Sequence, residues 1–228
     1  MQKTDYIAVF DSGKGGLSVL RELTALMPDE RFLYFGDSKN APYGIRPTEQ
    51  VRHLTMAAAE MLMEKGVKAL VVACNTATSA AIGLLREKYP DKVIVGIEPA
   101  LKPAVEAFPR GNIGIMATQV TLREEKLAHQ LERFPEATVH LIPAPGLVER
   151  IEQGLPTEDL LRPVLAPYKH LDALVLGCTH YPFAAETIQK LLPDTVLFDG
   201  GPGTARQTKR LLEELDMLNP GPGEVTYL

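Results

Sequence analysis

Ala69-Leu70-Val71-Val72-Ala73-Cys74 and Ala173-Leu174-Val175-Leu176-Gly177-Cys178 align without a gap, and their two cysteines are the only ones in the 228 residues. Further on, Ala80-Ala81 matches Ala184-Ala185. A weaker echo pairs Ile7-Ala8-Val9-Phe10-Asp11-Ser12 with Ile113-Gly114-Ile115-Met116-Ala117-Thr118. In each copy an apolar run ends at a cysteine, small polar residues follow, and a helical pattern then begins. A repeat of about 105 residues is too long for a solenoid and points to duplicated half-domains. Two such lobes facing each other would present one thiol from each side of a shared cleft. That suits chemistry needing equivalent groups on opposite faces of one atom.

Outward from these stretches the pattern is strand, turn, helix throughout. Short apolar runs at 7–10, 32–35, 69–73 and 93–97 read as strands, and the set restarts at 113–117, 138–142, 173–177 and 196–198. Between them Leu17, Leu20, Leu23 and Met27 recur at helical spacing, and Thr48 is placed to cap a helix that Gly66 ends. Helices are also expected over 76–89, 99–108, from 118 to about 134, near 146–153, over 157–170, up to Pro193, and, opened by Gly200-Gly201-Pro202-Gly203, to about Leu215. Alternating strands and helices predict an α/β fold with parallel sheets covered on both faces. The expected organisation is two pseudo-symmetric lobes, 1–97 with 206–228 and 98–205, each a mainly parallel sheet flanked by helices, with the active site in the cleft between them.

Bulk properties narrow the function classes. A hydrophobic content of 45% with 23% charged residues is that of a globular protein. A formal charge of −5 and a pI near 5.6 argue against nucleic acid as a partner, and there is no basic block for a membrane surface. No run of 18 apolar residues occurs, and the N-terminus does not read as a signal peptide. A cytoplasmic protein with reduced thiols is therefore expected.

Both cysteines fall where a strand gives way to the next helix, the place where ligands collect in open α/β sheets. A helix N-terminus there offers unpaired N–H groups and favours an anion or a thiolate. A lone buried cysteine is more often a small hydrophobe, and a disulfide is the other plain alternative. Two cysteines at repeat-equivalent positions, each followed by polar residues, weigh against the first. Asn75-Thr76 and Thr179-His180 supply donors at the two expected helix starts, for capping, for a carboxylate, or for both. Asp11 ends the first strand and would orient a base or an ammonium, or simply form an Asx turn. The following Gly13-Lys14-Gly15-Gly16 has neither phosphate-loop nor dinucleotide spacing. His53, His129, His140 and His170 have no partner spacing, whereas His180 stands two residues after Cys178 and is placed to assist it. No cysteine and histidine set has zinc spacing.

Several motifs now stand in order: Phe10-Asp11-Ser12-Gly13-x-Gly15-Gly16-Leu17-Ser18-Val19, Gly36-Asp37, Pro42-Tyr43-Gly44, Ala73-Cys74-Asn75-Thr76-Ala77, Gly96-Ile97-Glu98-Pro99, Ala117-Thr118-x-x-Thr121 and Gly177-Cys178-Thr179-His180-Tyr181-Pro182. Together they resemble bacterial glutamate racemase from about Ile7 to Leu215. The resemblance implies a cofactor-independent isomerase that interconverts L- and D-glutamate for peptidoglycan synthesis, with no metal and with a homodimer expected. It implies that Cys74 takes the α-proton from D-glutamate and Cys178 from L-glutamate. It assigns assisting roles to Asp11, His180 and Glu152, the last by a Leu147-Val148-x-x-Ile151-Glu152 pattern that passes over Glu149. Substrate contacts carry over to Asp11, Ser12, Tyr43, Gly44, Asn75, Thr76, Thr118, Thr121, Thr179 and His180. The chain departs from the family at Arg123 and Lys126, where a serine and an aromatic are usual, so a different surface or dimer contact is expected. The family also continues through a strand and a helix after Leu218-Asn219-Pro220, where this chain stops at Leu228.

The chemistry is coherent with these residue types. A Cα–H beside a carboxylate is a very weak acid, and inversion requires a proton returned on the opposite face. Two fixed thiols achieve this where one base would have to travel. An aspartate or broad-specificity racemase and an inert binding protein with this fold are the competing readings. A thiol redox protein would want its cysteines close in sequence. A pyridoxal phosphate racemase would want a Schiff-base lysine.

Overall fold

The structure is a computed structural model that describes residues 1–123 and 125–228, without the side chains of Glu125 and Lys126. The chain forms two compact units, Met1–Glu98 with Gly201–Leu228, and Pro99–Gly200. The first begins β1 (Tyr6–Asp11), α1 (Leu17–Leu26), β2 (Arg31–Gly36), α2 (Thr48–Met63), β3 (Val67–Val72), α3 (Asn75–Lys88), β4 (Val93–Gly96). The second is α4 (Leu101–Ala107), β5 (Asn112–Ala117), α5 (Gln119–Leu122), α6 (Glu125–Glu132), β6 (Thr138–Pro143), α7 (Leu147–Glu152), α8 (Glu158–Leu165), β7 (Ala173–Leu176), α9 (Ala185–Leu191), β8 (Val196–Asp199). The chain then returns to the first unit as α10 (Gly201–Glu214) and β9 (Glu224–Tyr227).

The first unit's sheet has strand order β4-β3-β1-β2-β9 and the second's β6-β5-β7-β8, with every pairing parallel. Reversed, the second order is β8-β7-β5-β6, the same topology as β4-β3-β1-β2. The two sequence echoes meet in the same register as well: Ile7 lies beside Ala69, and Ile113 beside Ala173. Successive side chains on a strand point to opposite faces, so a strand buried on both sides must be apolar throughout. In β1, Ala8 and Phe10 join the core under α2 and α3, while Ile7 and Val9 join the core under α1 and α10. In β7, Leu174 and Leu176 face the core of α7, α8 and α9, while Ala173 and Val175 face that of α4 and α6.

Some expectations change. Helix α10 packs Ala205 and Leu212 into the core of α1, so the second boundary falls at 200/201 rather than 205/206. Thr48 is the first residue of α2 and not its cap, a place taken by Pro47 without a side-chain bond. The helix expected from 118 to 134 is two short helices, α5 and α6. The helix expected over 157–170 is α8 to Leu165, followed by a single 3-10 turn. Strand β9 is an addition to the sequence reading. Arg123 is exposed, and the side chain of Lys126 lies outside the described residues.

Candidate active site

In the first unit, β1 and β3 end side by side. The Ala73 N–H donates to the Phe10 carbonyl at 2.7 Å, which brings Asp11 and Cys74 out of the same end of the sheet. Cys74 is the N-cap of α3 and its sulfur accepts the Ala77 N–H at 3.5 Å. A sulfur at the first turn of a 14-residue helix is in a field that stabilises its anion. Asn75 and Thr76, the first residues of α3, are both buried, and the Asn75 Oδ1 has no hydrogen-bond partner among the described residues.

Asp11 is fully buried, and its Oδ2 accepts the Gly13 N–H at 2.9 Å, which is the Asx turn. A Cβ on Gly16 would stand 2.5 Å from the Asp11 Cβ, so the loop's close return over Asp11 requires glycine there. Ser12 is buried in this loop. Tyr43 is buried in a 3-10 turn with Gly44, half-buried, beside it. Its hydroxyl donates to the Asp37 Oδ2 at 2.7 Å, and the Asn40 amide donates to the same carboxylate at 3.0 Å. Burial above all, then the hydrogen bond to Asp37 and the charges of Asp37, Cys74 and Asp11, push the Tyr43 phenol far above its ordinary value. The Tyr43 phenol therefore stays neutral, its one O–H held by Asp37, in the field of Cys74 and Asp11. Asp37 was given no role by the sequence reading. It directly follows β2, beside Asp11 at the end of β1, and its N–H donates to the Asp11 carbonyl at 2.9 Å.

In the second unit, β7 passes through Gly177 to Cys178. A Cβ on Gly177 would stand 2.9 Å from the Ala117 Cβ, so glycine lets the chain leave the sheet against β5. No α-helix starts at Cys178, contrary to the sequence expectation. Pro182 has no N–H to give the Cys178 carbonyl, which accepts the Tyr181 N–H at 3.0 Å instead; the 3-10 turn Tyr181–Ala184 follows and α9 starts at Ala185, so Thr179 and His180 start no α-helix. What Cys178 has instead is a histidine. Its Sγ lies 3.8 Å from the His180 Nδ1, and the His180 Nε2 lies 2.5 Å from the Glu152 Oε1. Cys178, Thr179 and His180 are all buried, and Glu152, the last residue of α7, is mostly so. Thr118 caps α5, its Oγ1 accepting the Thr121 N–H at 3.3 Å and lying 3.1 Å from the Thr121 Oγ1. Tyr181 is fully buried with no hydrogen-bond partner for its hydroxyl among the described residues, and burial, Cys178 and Glu149 raise its proton affinity.

Each unit thus gathers the residues singled out within it: Asp11, Ser12, Tyr43, Gly44, Cys74, Asn75 and Thr76 in the first, Thr118, Thr121, Glu152, Cys178, Thr179 and His180 in the second. Both cysteines are free thiols. Among the described residues no group of three or more His, Cys, Asp or Glu side chains is clustered to hold a metal ion. No helix among them is long and apolar enough to cross a membrane.

Comparison with known proteins follows the same lines. The family model described as Asp/Glu/hydantoin racemase matches residues 15–208. A protein of Clostridium botulinum named glutamate racemase is 51% identical over 226 residues, covering 96% of this chain and 88% of its own. The crystal structure of Escherichia coli glutamate racemase with L-glutamate and the activator UDP-MurNAc-Ala matches with a TM-score of 0.86 at 35% identity, over 92% of this chain and 82% of that one. Francisella tularensis glutamate racemase in complex with D-glutamate matches with a TM-score of 0.85 at 29% identity, over 99% and 88%. With the family model spanning most of its length and a relative half identical to it over nearly all of it, the chain belongs to the Asp/Glu/hydantoin racemase family.

Proposed function

We propose that this chain interconverts L- and D-glutamate without a cofactor, by proton transfer between two thiols, and that its D-glutamate feeds peptidoglycan synthesis in the cytoplasm. The observation that carries this is that β3 and β7, equivalent strands of two sheets of like topology, each lead on into a buried free thiol, with His180 beside Cys178 and Asp11 leaving the strand next to that of Cys74. The relatives' complexes with L-glutamate and with D-glutamate support the choice of substrate.

In this reading the lobes close around one glutamate with Cys74 and Cys178 on opposite faces of its Cα. The Cys74 thiolate removes the proton from D-glutamate, the C–H bond pair passes into the carbanionic state, and the Cys178 thiol returns a proton to the other face. Cys178 then holds the thiolate, and L-glutamate is processed in reverse. His180, held by Glu152, serves the proton at Cys178, and Asp11 does so at Cys74. Donors from Ser12, Tyr43, Gly44, Asn75, Thr76, Thr118, Thr121 and Thr179 hold the substrate, those on its α-carboxylate stabilising the developing charge. The buried Asn75 oxygen suits the substrate ammonium. The working form is a homodimer.

The test uses deuterium oxide. Each enantiomer of glutamate should gain solvent deuterium at Cα as it racemises, because the proton delivered is not the one removed. Cys74→Ala and Cys178→Ala should each abolish racemisation, and Cys→Ser variants should be nearly as impaired, since a hydroxyl is a far poorer base near neutral pH. Near-wild-type racemisation by either Cys→Ala variant would overturn the two-base reading.

A further inference from the structure

Below the loop that carries Asp11 lies a tyrosine to which neither the sequence motifs nor the reaction assigns a part. Tyr34, in the middle of β2, is buried, and its hydroxyl donates to the Gly13 carbonyl at 2.8 Å. Gly13 is therefore tied at both of its backbone polar groups, the carbonyl to Tyr34 and the N–H to the Asp11 carboxylate. The Tyr34 ring also fills the space beneath the two glycines that flank this loop. A Cβ on Gly16 or on Gly36 would come within 3.2 or 3.3 Å of it, and the one on Gly36 would stand 2.2 Å from the Gly13 oxygen. From the other side Tyr227 of β9, beside Tyr34 in register, sets its ring against it with centroids 6.0 Å apart.

We propose that Tyr34 is a positioning residue for proton transfer at Cys74, acting through Gly13 to hold the Asp11 carboxylate in place; this rests on the racemase reading above. The ring alone would fill the space under the loop. The hydroxyl adds direction: it turns the Gly13 backbone so that its N–H meets the Asp11 Oδ2, which settles where that carboxylate sits. Asp11 and Cys74 leave neighbouring strands at one end of the sheet, where the Ala73 N–H donates to the Phe10 carbonyl at 2.7 Å, so a shift of Asp11 is felt at the thiol of this unit. Cys178 has its own histidine and carboxylate for the same work.

The test is Tyr34→Phe, which keeps the ring and removes only the donor. The kcat/KM for glutamate should fall about tenfold, the effect of one buried hydrogen bond. A smaller fraction of active enzyme would do the same, so the deciding readout is a ratio. With the step at Cys74 slowed, the primary isotope effect on kcat/KM should rise for α-deuterated D-glutamate and fall for α-deuterated L-glutamate. Loss of folded protein moves neither. Gly36→Ala, whose methyl would push the Gly13 carbonyl off the Tyr34 hydroxyl, should give the same asymmetry and decides the matter if Tyr34→Phe does not fold. Isotope effects that stay at wild-type values, or shift in the opposite sense, would overturn the role of Tyr34 while leaving the racemase reading intact. A wild-type protein that does not racemise glutamate would overturn both.

Discussion

Glu149 and Glu152 sit on successive turns of α7, yet only Glu152 meets His180. The difference matters because an imidazole serves a thiol with one nitrogen while the other must be held. When His180 is neutral with its proton on Nε2, that N–H donates to Glu152 and leaves the Nδ1 lone pair for the Cys178 S–H. When His180 is protonated, both nitrogens donate and Glu152 neutralises the charge. Glu152→Gln keeps an acceptor oxygen but loses that charge. Its kcat/KM should fall by about 10- to 100-fold, toward the lower range of what positioned acid–base groups contribute, because it acts through His180. Glu149→Gln should stay within about threefold of wild type. Circular dichroism of the glutamate produced measures both, and a larger loss at Glu149 would mean that the pattern had been matched to the wrong carboxylate. Sequence spacing was enough to suggest His180, two residues from its thiol. It was not enough for Asp37, because a lone aspartate after a strand is an ordinary turn residue. Only the folded loop that brings Tyr43 and Asn40 onto its carboxylate makes it part of the cluster.

Helix α3 carries Cys74 at its head, and two glycines show what sets its position. Gly96, at the end of β4, lies under the first turns of α3. A Cβ there would stand 2.5 Å from the Thr78 Cγ2 and 3.0 Å from the Ile82 Cδ1. Thr78 is β-branched, buried, and bonded through its Oγ1 to the Val72 carbonyl at 3.1 Å, so it has little room to give way. Gly83, midway along α3, is exposed with nothing within 4 Å of an added Cβ. Gly96→Ala should therefore destabilise the protein by about 1–3 kcal/mol through overpacking. Gly83→Ala should stabilise it by about 0.5–1 kcal/mol by lowering the freedom of the unfolded chain. Urea unfolding of both variants measures this pair of opposite signs, and a shared sign would refute the packing argument. The strands around these helices were legible because strands buried on both faces of a parallel sheet read as unbroken apolar runs. The edge strand β9 was not, since Glu224 and Val225 are exposed, Tyr227 also, and no run forms. The repeat misled once. Cys74 and Cys178 look alike in sequence, but one caps an α-helix while the other precedes a proline-bearing 3-10 turn and is served by a side chain instead.

At the scale of the molecule, the first unit is assembled from chain segments at both ends, and a buried ion pair joins them. Lys68 of β3 is wholly buried, as is Glu30 just before β2, and they meet at 2.6 Å. Lys68 also donates to the Lys3 carbonyl and, at 2.8 Å, to that of Met217. The other Glu30 oxygen accepts the Asn219 N–H at 2.8 Å, and the Asn219 amide reaches the Asp29 carbonyl at 2.6 Å. These bonds lie where β2 and β3 begin, whereas Asp11, Asp37 and Cys74 lie at the other end of the sheet, where strands finish. A buried pair of this kind adds little over an apolar pair of the same shape, but removing one partner strands the other. Lys68→Met keeps an unbranched side chain and leaves Glu30 buried with only Asn219 to answer it. It should cost about 3–5 kcal/mol, and adding Glu30→Gln should recover part of that, with a coupling of about 1 kcal/mol or more. The loss should also be local. Amide hydrogen exchange in Lys68→Met should quicken in β2, β3 and β9, whose ends the network ties together, while β5 and β7 of the second unit keep their wild-type protection. Equal quickening in both units would show that Lys68 supports the whole chain and not the closure of one unit on its own termini.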